Sequence, residues 1–177
     1  YDDAVEKLGD HTPAGNLRGG KYSLYEAGTR VPFITYWKGK IEPQVSDEVV
    51  TQIDFLNSFS SLLGSDIKSN DGVDLSSVFF KNTGEGRDEL VIEATSRTAF
   101  RQDNWVMIPP YNLAAFNYNV NIELGNSKGY LLFNLDNDIS QQDDLSKSNP
   151  GKLNDMITRY EEILGKDKKE AEKLELE

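Results

Sequence analysis

The chain has 177 residues, with 19 Lys and Arg against 30 Asp and Glu and a formal net charge of −11. That length holds one domain, or a small domain with part of another, and an acidic chain with no basic patch is not built to bind nucleic acid. Cysteine is absent, which excludes disulfides, thiolate catalysis and Cys-based metal sites, and no run approaches the ~18 apolar residues of a membrane-spanning helix.

Residues 1–20 read as loop with one helical turn around Ala4–Leu8, punctuated by Gly9, Pro13, Gly15, Gly19 and Gly20. Tyr1-Asp2-Asp3-Ala4 has no basic region followed by an apolar core, so no signal peptide is expected there. Val31–Trp37 is β-rich and mostly apolar, as in a strand buried in a larger sheet. Lys38-Gly39-Lys40 reads as a turn. Ser46 suits an N-cap, and Asp47 and Glu48 suit a first helical turn. Val49, Ile53, Leu56, Phe59, Leu62 and Leu63 recur at helical spacing before Gly64, so the pattern predicts a helix over 47–63. The polar stretch Ser65–Asp74 is the best candidate boundary.

Beyond it the pattern shortens. Leu90–Ala94, Ala99–Arg101, Trp105–Ile108 and Tyr130–Leu135 predict the strands of a small antiparallel sheet. Asn149 caps a helix with Pro150 at its first position. Leu153, Met156, Ile157, Tyr160 and Leu164 form its apolar stripe, and Gly165 is the expected stop. One helix on one sheet predicts a two-layer α+β unit. Trp37, Phe55, Phe59 and Tyr160 read as core. Residues 166–177 read as a solvated charged tail. The acidic clusters at 136–144 and 161–177 lack EF-hand spacing.

The run Leu17-Arg18-Gly19-Gly20-Lys21-Tyr22-Ser23-Leu24-Tyr25-Glu26-Ala27-Gly28-Thr29-Arg30-Val31-Pro32-Phe33-Ile34 resembles the L-R-G-G-K-x-S-x-Y-E-G-G-x-R-V-P-x-I block of the sulfatase family. Later segments follow in the family's order. Val45-Ser46-Asp47 through Leu63-Gly64 resembles its V-S-x-x-D-L-L-P-T-L-L-x-L-x-G helix, with Asn57 where the family has Pro. Asp71-Gly72-Val73-Asp74-Leu75 with Gly86-Arg87-Asp88 resembles the D-G-x-x-L…R-D connector. Ala99 to Trp105 resembles the R-x-G-x-W-K-Y-I strand, and Phe133 to Asp138 the L-Y-N-L-x-x-D-P turn. The nearest subgroup is the bacterial arylsulfatases and N-acetylgalactosamine-6-sulfatase-like enzymes.

The resemblance implies an α/β architecture: the C-terminal part of an alkaline-phosphatase-like sulfatase fold with a small α+β subdomain. Residues 1–64 would end the large domain, 65–165 would form the small subdomain, and 166–177 the tail. It implies hydrolysis of sulfate esters of a sulfated sugar or glycan, and a parent enzyme that is periplasmic or secreted. The family's cofactors are calcium and a formylglycine, neither expected to be bound by this chain alone. The formylglycine motif [C/S]-x-P-[S/A]-R has no match. Ser148-Asn149-Pro150-Gly151-Lys152 lacks the Arg, and Asn70-Asp71-Gly72 is not the family's calcium-binding S-D-N-G, which is expected shortly before Tyr1. The chain alone is therefore expected to be inactive. Its edges are expected to need the N-terminal part, a partner or self-association.

Lys21 is the catalytic candidate, since the family sets this Lys against a sulfate oxygen. A compact ammonium meets one oxygen without planar geometry, and fixed cations stabilise charge developing in the transition state. The plainer reading is an exposed lysine beside two glycines that permit a tight turn. His11, the only histidine, is a substrate-binding or proton-donating candidate; otherwise it is a surface residue. Arg101, with Arg97 and near Trp105, is a second substrate-binding candidate, because cations beside an aromatic face suit a sulfated glycan. Strand-surface packing is the alternative for both. Glu26 and Arg30, four apart, read as a brace for the Lys21 loop, and Arg18 reads similarly. Rival readings are a non-catalytic glycan-binding or interaction module, a phosphoester hydrolase of the same superfold, and an unrelated acidic α+β protein.

Overall fold

Two-residue turns without glycine set the register of the main sheet. The structure is a computed structural model and describes residues 9–81 and 83–167; the Ala4–Leu8 turn and the tail beyond 167 lie outside the described residues. Strand β1 (Glu89–Ala94) turns through Thr95 and Ser96 into β2 (Arg97–Gln102). Both turn residues are left-handed, with φ of 50° and 60°, which matches the twist of the flanking strands. Asp103, at φ 52°, begins the turn from β2 to β3 (Trp105–Ile108). A short pair, β4 (Phe116–Asn117) and β5 (Ile122–Glu123), follows, which the sequence pattern does not signal. β6 (Leu131–Asn134) then pairs with β3, giving an antiparallel sheet in the order β1-β2-β3-β6. All four expected strands are present, with ends shifted by at most two residues.

The pleat sorts the sheet's side chains onto two faces, and both are apolar. Phe100, Met107 and Leu132 stand on one and are covered by Met156 and Tyr160 of a C-terminal helix (Pro150–Asp167). Each such fully buried side chain contributes ~1.5–3 kcal/mol. The carbonyl of Asn149 accepts the Leu153 N–H at 3.1 Å, as the residue before the first helical position should. The helix passes the expected stop at Gly165 and ends at Asp167, because an interior glycine costs only ~1 kcal/mol while Ile163 and Leu164 still pack on the cluster. Ala99, Val106, Ile108 and Phe133 stand on the other face, and there the cover is Leu24 and Tyr25. The unit therefore has three layers instead of the expected two, since a sheet apolar on both faces needs cover on both.

Contacts divide the chain into two units: residues 9–30 with 89–167, and residues 31–88. The break does not fall in Ser65–Asp74. That connector is bonded back onto the preceding helix, where Asn57 accepts the Ser69 N–H at 2.7 Å and donates to the Gly72 carbonyl, and Ser58 accepts the Leu75 N–H at 2.9 Å. The proline expected at position 57 could make neither side-chain bond.

In the second unit α2 (Phe55–Leu63) is preceded by a 3-10 turn at Gln52–Asp54 and followed by α3 (Ser76–Lys81); α1 is the short Glu26–Thr29 turn of the other unit, and α4 the C-terminal helix. The helix expected from Asp47 starts at Gln52. Residue 49 is held by another segment, its carbonyl accepting the Arg87 N–H at 2.8 Å, and Thr51 donates to Asp54 at 3.1 Å. Ser46 makes only a local turn, accepting the Glu48 N–H at 3.3 Å. The buried residues of α2 are Asn57, Ser58 and Ser60, so its apolar stripe faces out, with Leu56 and Phe59 each 47% exposed. Val31–Trp37 is not a strand: among the described residues no strand pairs with it, and the Trp37 carbonyl instead closes a turn, accepting the Lys40 and Ile41 N–H groups at 3.0 Å. Trp37, expected as core, is 45% exposed, while Phe33 packs on Phe55 and Phe79 with centroids 5.6 and 5.3 Å apart.

Candidate functional site

Gly19 and Gly28 decide the path of the Lys21 loop. Gly19 is left-handed at φ 84°, and a Cβ there would lie 2.4 Å from Ser23 Oγ. A Cβ on Gly28 would lie 2.2 Å from the Ser23 carbonyl oxygen and 2.6 Å from that of Gly20. Both obstructions at Gly28 are backbone, so the loop ends approach more closely than any side chain permits. Gly28→Ala is therefore expected to cost about 1–3 kcal/mol, read as a lower urea midpoint of Trp105 fluorescence; an unchanged midpoint would contradict this packing.

The loop closes through its own backbone, with Ser23 N–H to the Gly20 carbonyl at 2.9 Å and Ala27 N–H to the Arg18 carbonyl at 3.0 Å. Tyr22 takes a left-handed φ of 79°, a conformation costing ~1–3 kcal/mol that persists only when surroundings enforce it. Arg97 enforces it. Its guanidinium, on a residue 5% exposed, donates to the Tyr22 carbonyl at 2.7 Å and Thr95 Oγ1 at 2.8 Å, and also to Asn126 Oδ1. Arg101 stands two pleats further along the same face of β2. It donates to the Asp103 carbonyl at 2.9 Å and Asn104 Oδ1 at 3.2 Å, and its Nη1 lies 3.9 Å from the Glu26 carboxylate. Burial pulls both guanidiniums below their usual pKa, while Glu26 opposes that shift at Arg101.

Arg18 forms the third anchor. It donates to Glu123 Oε2 at 3.0 Å and to the Gln141 carbonyl at 2.6 Å, and its guanidinium lies 4.2 Å from the Tyr25 ring centre. Glu26 is buried and ion-paired with Arg30, as their four-residue spacing suggests. Its N–H donates to Gln141 Oε1 at 2.8 Å, and the Leu24 N–H to the Leu124 carbonyl at 3.1 Å. Lys21 itself is exposed, its Nζ 5.2 Å from the Tyr22 ring centre. The loop thus presents an exposed ammonium from a backbone held by Arg18, Arg97 and its own hydrogen bonds.

Among the three site candidates, Lys21 and His11 are exposed in the same unit, and Arg101 is engaged with Glu26, Asp103 and Asn104. Arg97 is neither on the strand surface nor open to a ligand's approach: it is buried against the Tyr22 carbonyl and Asn126. Glu123, Asn126 and Gln141 complete the support of the loop, and no spacing rule finds them, since they lie about a hundred residues downstream. An open cleft of ≈ 490 Å³ adjoins Arg18, walled by Asn16, Phe116, Asn121, Glu123 and Gln142.

Calcium takes six to eight oxygen ligands. Among the described residues, no three His, Asp or Glu side chains gather to hold a metal ion, so these residues do not by themselves fit the family's calcium. Ser148, in the nearest echo of the formylglycine motif, donates to the Leu145 carbonyl at 3.3 Å just ahead of α4.

The sulfatase family profile matches residues 5–65. The N-acetylgalactosamine-6-O-sulfatase of Bacteroides thetaiotaomicron is 33% identical over 168 residues, covering 92% of this chain and 32% of that protein. Human arylsulfatase A is 34% identical over 79 residues, 44% of this chain and 16% of that one. A solved structure from work on glycosaminoglycan metabolism by B. thetaiotaomicron superposes with a TM-score of 0.82 at 31% identity, covering 89% of this chain and 34% of that one. The structure of Ps i-CgsB in complex with k-i-k-neocarrahexaose gives 0.61 at 25% identity, covering 90% and 34%. The match thus spans about a third of the length of the B. thetaiotaomicron sulfatase and of the two solved chains, and less of human arylsulfatase A. It has the expected mixed α/β fold, with an antiparallel sheet and a C-terminal helix on a sulfatase framework. Matches this extensive, together with the Leu17–Ile34 block wrapped around Lys21, establish that the chain belongs to the sulfatase family.

Proposed function

We propose that this chain is the C-terminal part of an enzyme that hydrolyses sulfate esters on a sugar of a glycan, acting outside the cytoplasm. The observation that carries the reading is the Lys21 loop: an exposed ammonium whose flanks are held by Arg18, Arg97 and the Glu26 pairs. In the reaction the sulfur–oxygen bond to the sugar breaks, water supplies the oxygen that replaces it, and the leaving alcohol takes a proton. Negative charge on the sulfate and the departing oxygen grows as that bond breaks, and Lys21 neutralises part of it. His11 lies towards the substrate on the preceding loop. Arg101 acts as a positioning residue through Glu26, the reading its contacts favour over a direct grip on the sugar. The Lys21 loop belongs to the unit of the small sheet, residues 9–30 with 89–167, and residues 31–88 form the other unit. The names of the relatives support the substrate class: one acts on 6-O-sulfated N-acetylgalactosamine, and another was solved with an oligosaccharide.

The test is sulfate release from 6-sulfated N-acetylgalactosamine by the full-length polypeptide carrying this chain, beside the 177-residue chain alone. Release by the full-length protein only is expected, because the formylglycine motif and a calcium-ligand set are not among these residues. Turnover by the chain alone would refute the fragment reading. Phosphate release without sulfate release would favour the phosphoester rival, and glycan binding without turnover by the full-length protein the non-catalytic module.

A further inference from the structure

We propose that the cleft beside Arg18 is a subsite for an uncharged sugar residue of the glycan; the choice of ligand class rests on the sulfatase reading above. Its volume of ≈ 490 Å³ lies within the range of ligand pockets, roughly 300–1,000 Å³. The walls decide the chemistry. Asn16, Asn121, Ser140 and Gln142 contribute amides and a hydroxyl, groups that both donate and accept, as sugar hydroxyls do. Phe116 adds an apolar face, continued by the Tyr118 ring at 4.8 Å, on a residue 86% exposed. An apolar wall with a few convergent polar groups suits a ring with one C–H face and a hydroxyl rim.

Charge narrows the ligand further. The two charged residues lining the cleft, Arg18 and Glu123, are paired with each other. The cleft therefore offers no net positive charge to favour a second sulfate or a uronate over a neutral ring. Placement links the cleft to the reaction. Its wall from Thr12 to Arg18 belongs to the same chain segment that carries His11 and Lys21.

Isothermal titration of the full-length polypeptide carrying this chain with a neutral galactan tetrasaccharide, and separately with an unsulfated chondroitin tetrasaccharide, tests this. The neutral sugar is expected to bind more tightly than the uronate-bearing one. Phe116→Ala removes the apolar wall but also touches the β4–β5 pair. Asn121→Gly is the cleaner variant, because Asn121 is left-handed at φ 52° and glycine takes that conformation freely. Asn121→Gly and Gln142→Ala are each expected to weaken binding about 3- to 10-fold, the worth of a hydrogen bond. No binding of the neutral sugar, equal or tighter binding of the acidic one, or unchanged affinity in both variants would overturn the subsite. Sulfate release by the full-length enzyme would stand through any of those results, so the two readings fail separately.

Discussion

Lys21→Ala in the full-length enzyme is expected to lower kcat by ~10²–10³-fold, the usual effect of removing one preorganised charge-stabilising group. The magnitude assumes the ammonium is carried on the fixed backbone of its loop. Its neighbour Tyr22 is locked by Arg97 at 2.7 Å, and Ser23 is bonded across to Gly20 at 2.9 Å. Alanine at this position carries no charge to set against the sulfate. KM should rise by less than kcat falls, because the ground-state sulfate is already anionic but the departing alkoxide adds charge only in the transition state. Lys21→Arg keeps the charge but replaces a point donor with a planar fork, so it should recover part of the loss. The side chain is exposed, so the unfolding midpoint should not move. Steady-state kinetics with a sulfated N-acetylgalactosamine substrate reads all three. A variant with unchanged kcat and KM would remove Lys21 from the site.

Arg87→Ala should produce the largest loss of stability in the unit formed by residues 31–88, about 3–5 kcal/mol. Asp54 is fully buried and ion-paired with Arg87. The carboxylate also accepts the Val73 N–H at 2.9 Å and the Thr51 N–H at 3.1 Å, and Arg87 donates onward to the Asp71 carbonyl at 2.6 Å. Removing the arginine strands a buried negative charge and frees the 71–73 connector. Arg87→Lys keeps the charge without the fork and should cost less. Each unit contains one tryptophan, Trp37 in one and Trp105 in the other. Urea unfolding followed through Trp37 in a Trp105→Phe background isolates the effect. A midpoint unmoved by Arg87→Ala would show that the backbone donors alone suffice for Asp54.

Local chemistry was legible where neighbours in sequence are neighbours in space. The apolar stripe of α4, its Asn149-Pro150 start and the four strands of the sheet follow from period and capping. The Glu26–Arg30 pair follows from a four-residue spacing. Legibility failed where the partner is remote or comes from outside the described residues. Val31–Trp37 has strand composition, but a strand needs a neighbour. The residues of α2 spaced for a core lie on its exposed face, because Asn57 and Ser58 turn the opposite side towards the connector.

By itself, then, the sequence determined the periodic elements, the absence of thiol chemistry and the sulfatase-like block around Lys21. Tertiary structure alone decided that the block covers the second apolar face of the small sheet. It also decided that Arg97 and Arg101 grip the loop from β2, and that Glu123 and Gln141 hold Arg18. Those contacts join positions 75 to 123 residues apart. Helical and strand periods couple a residue only to others a few places away, so contacts at that range exist only once the chain has folded.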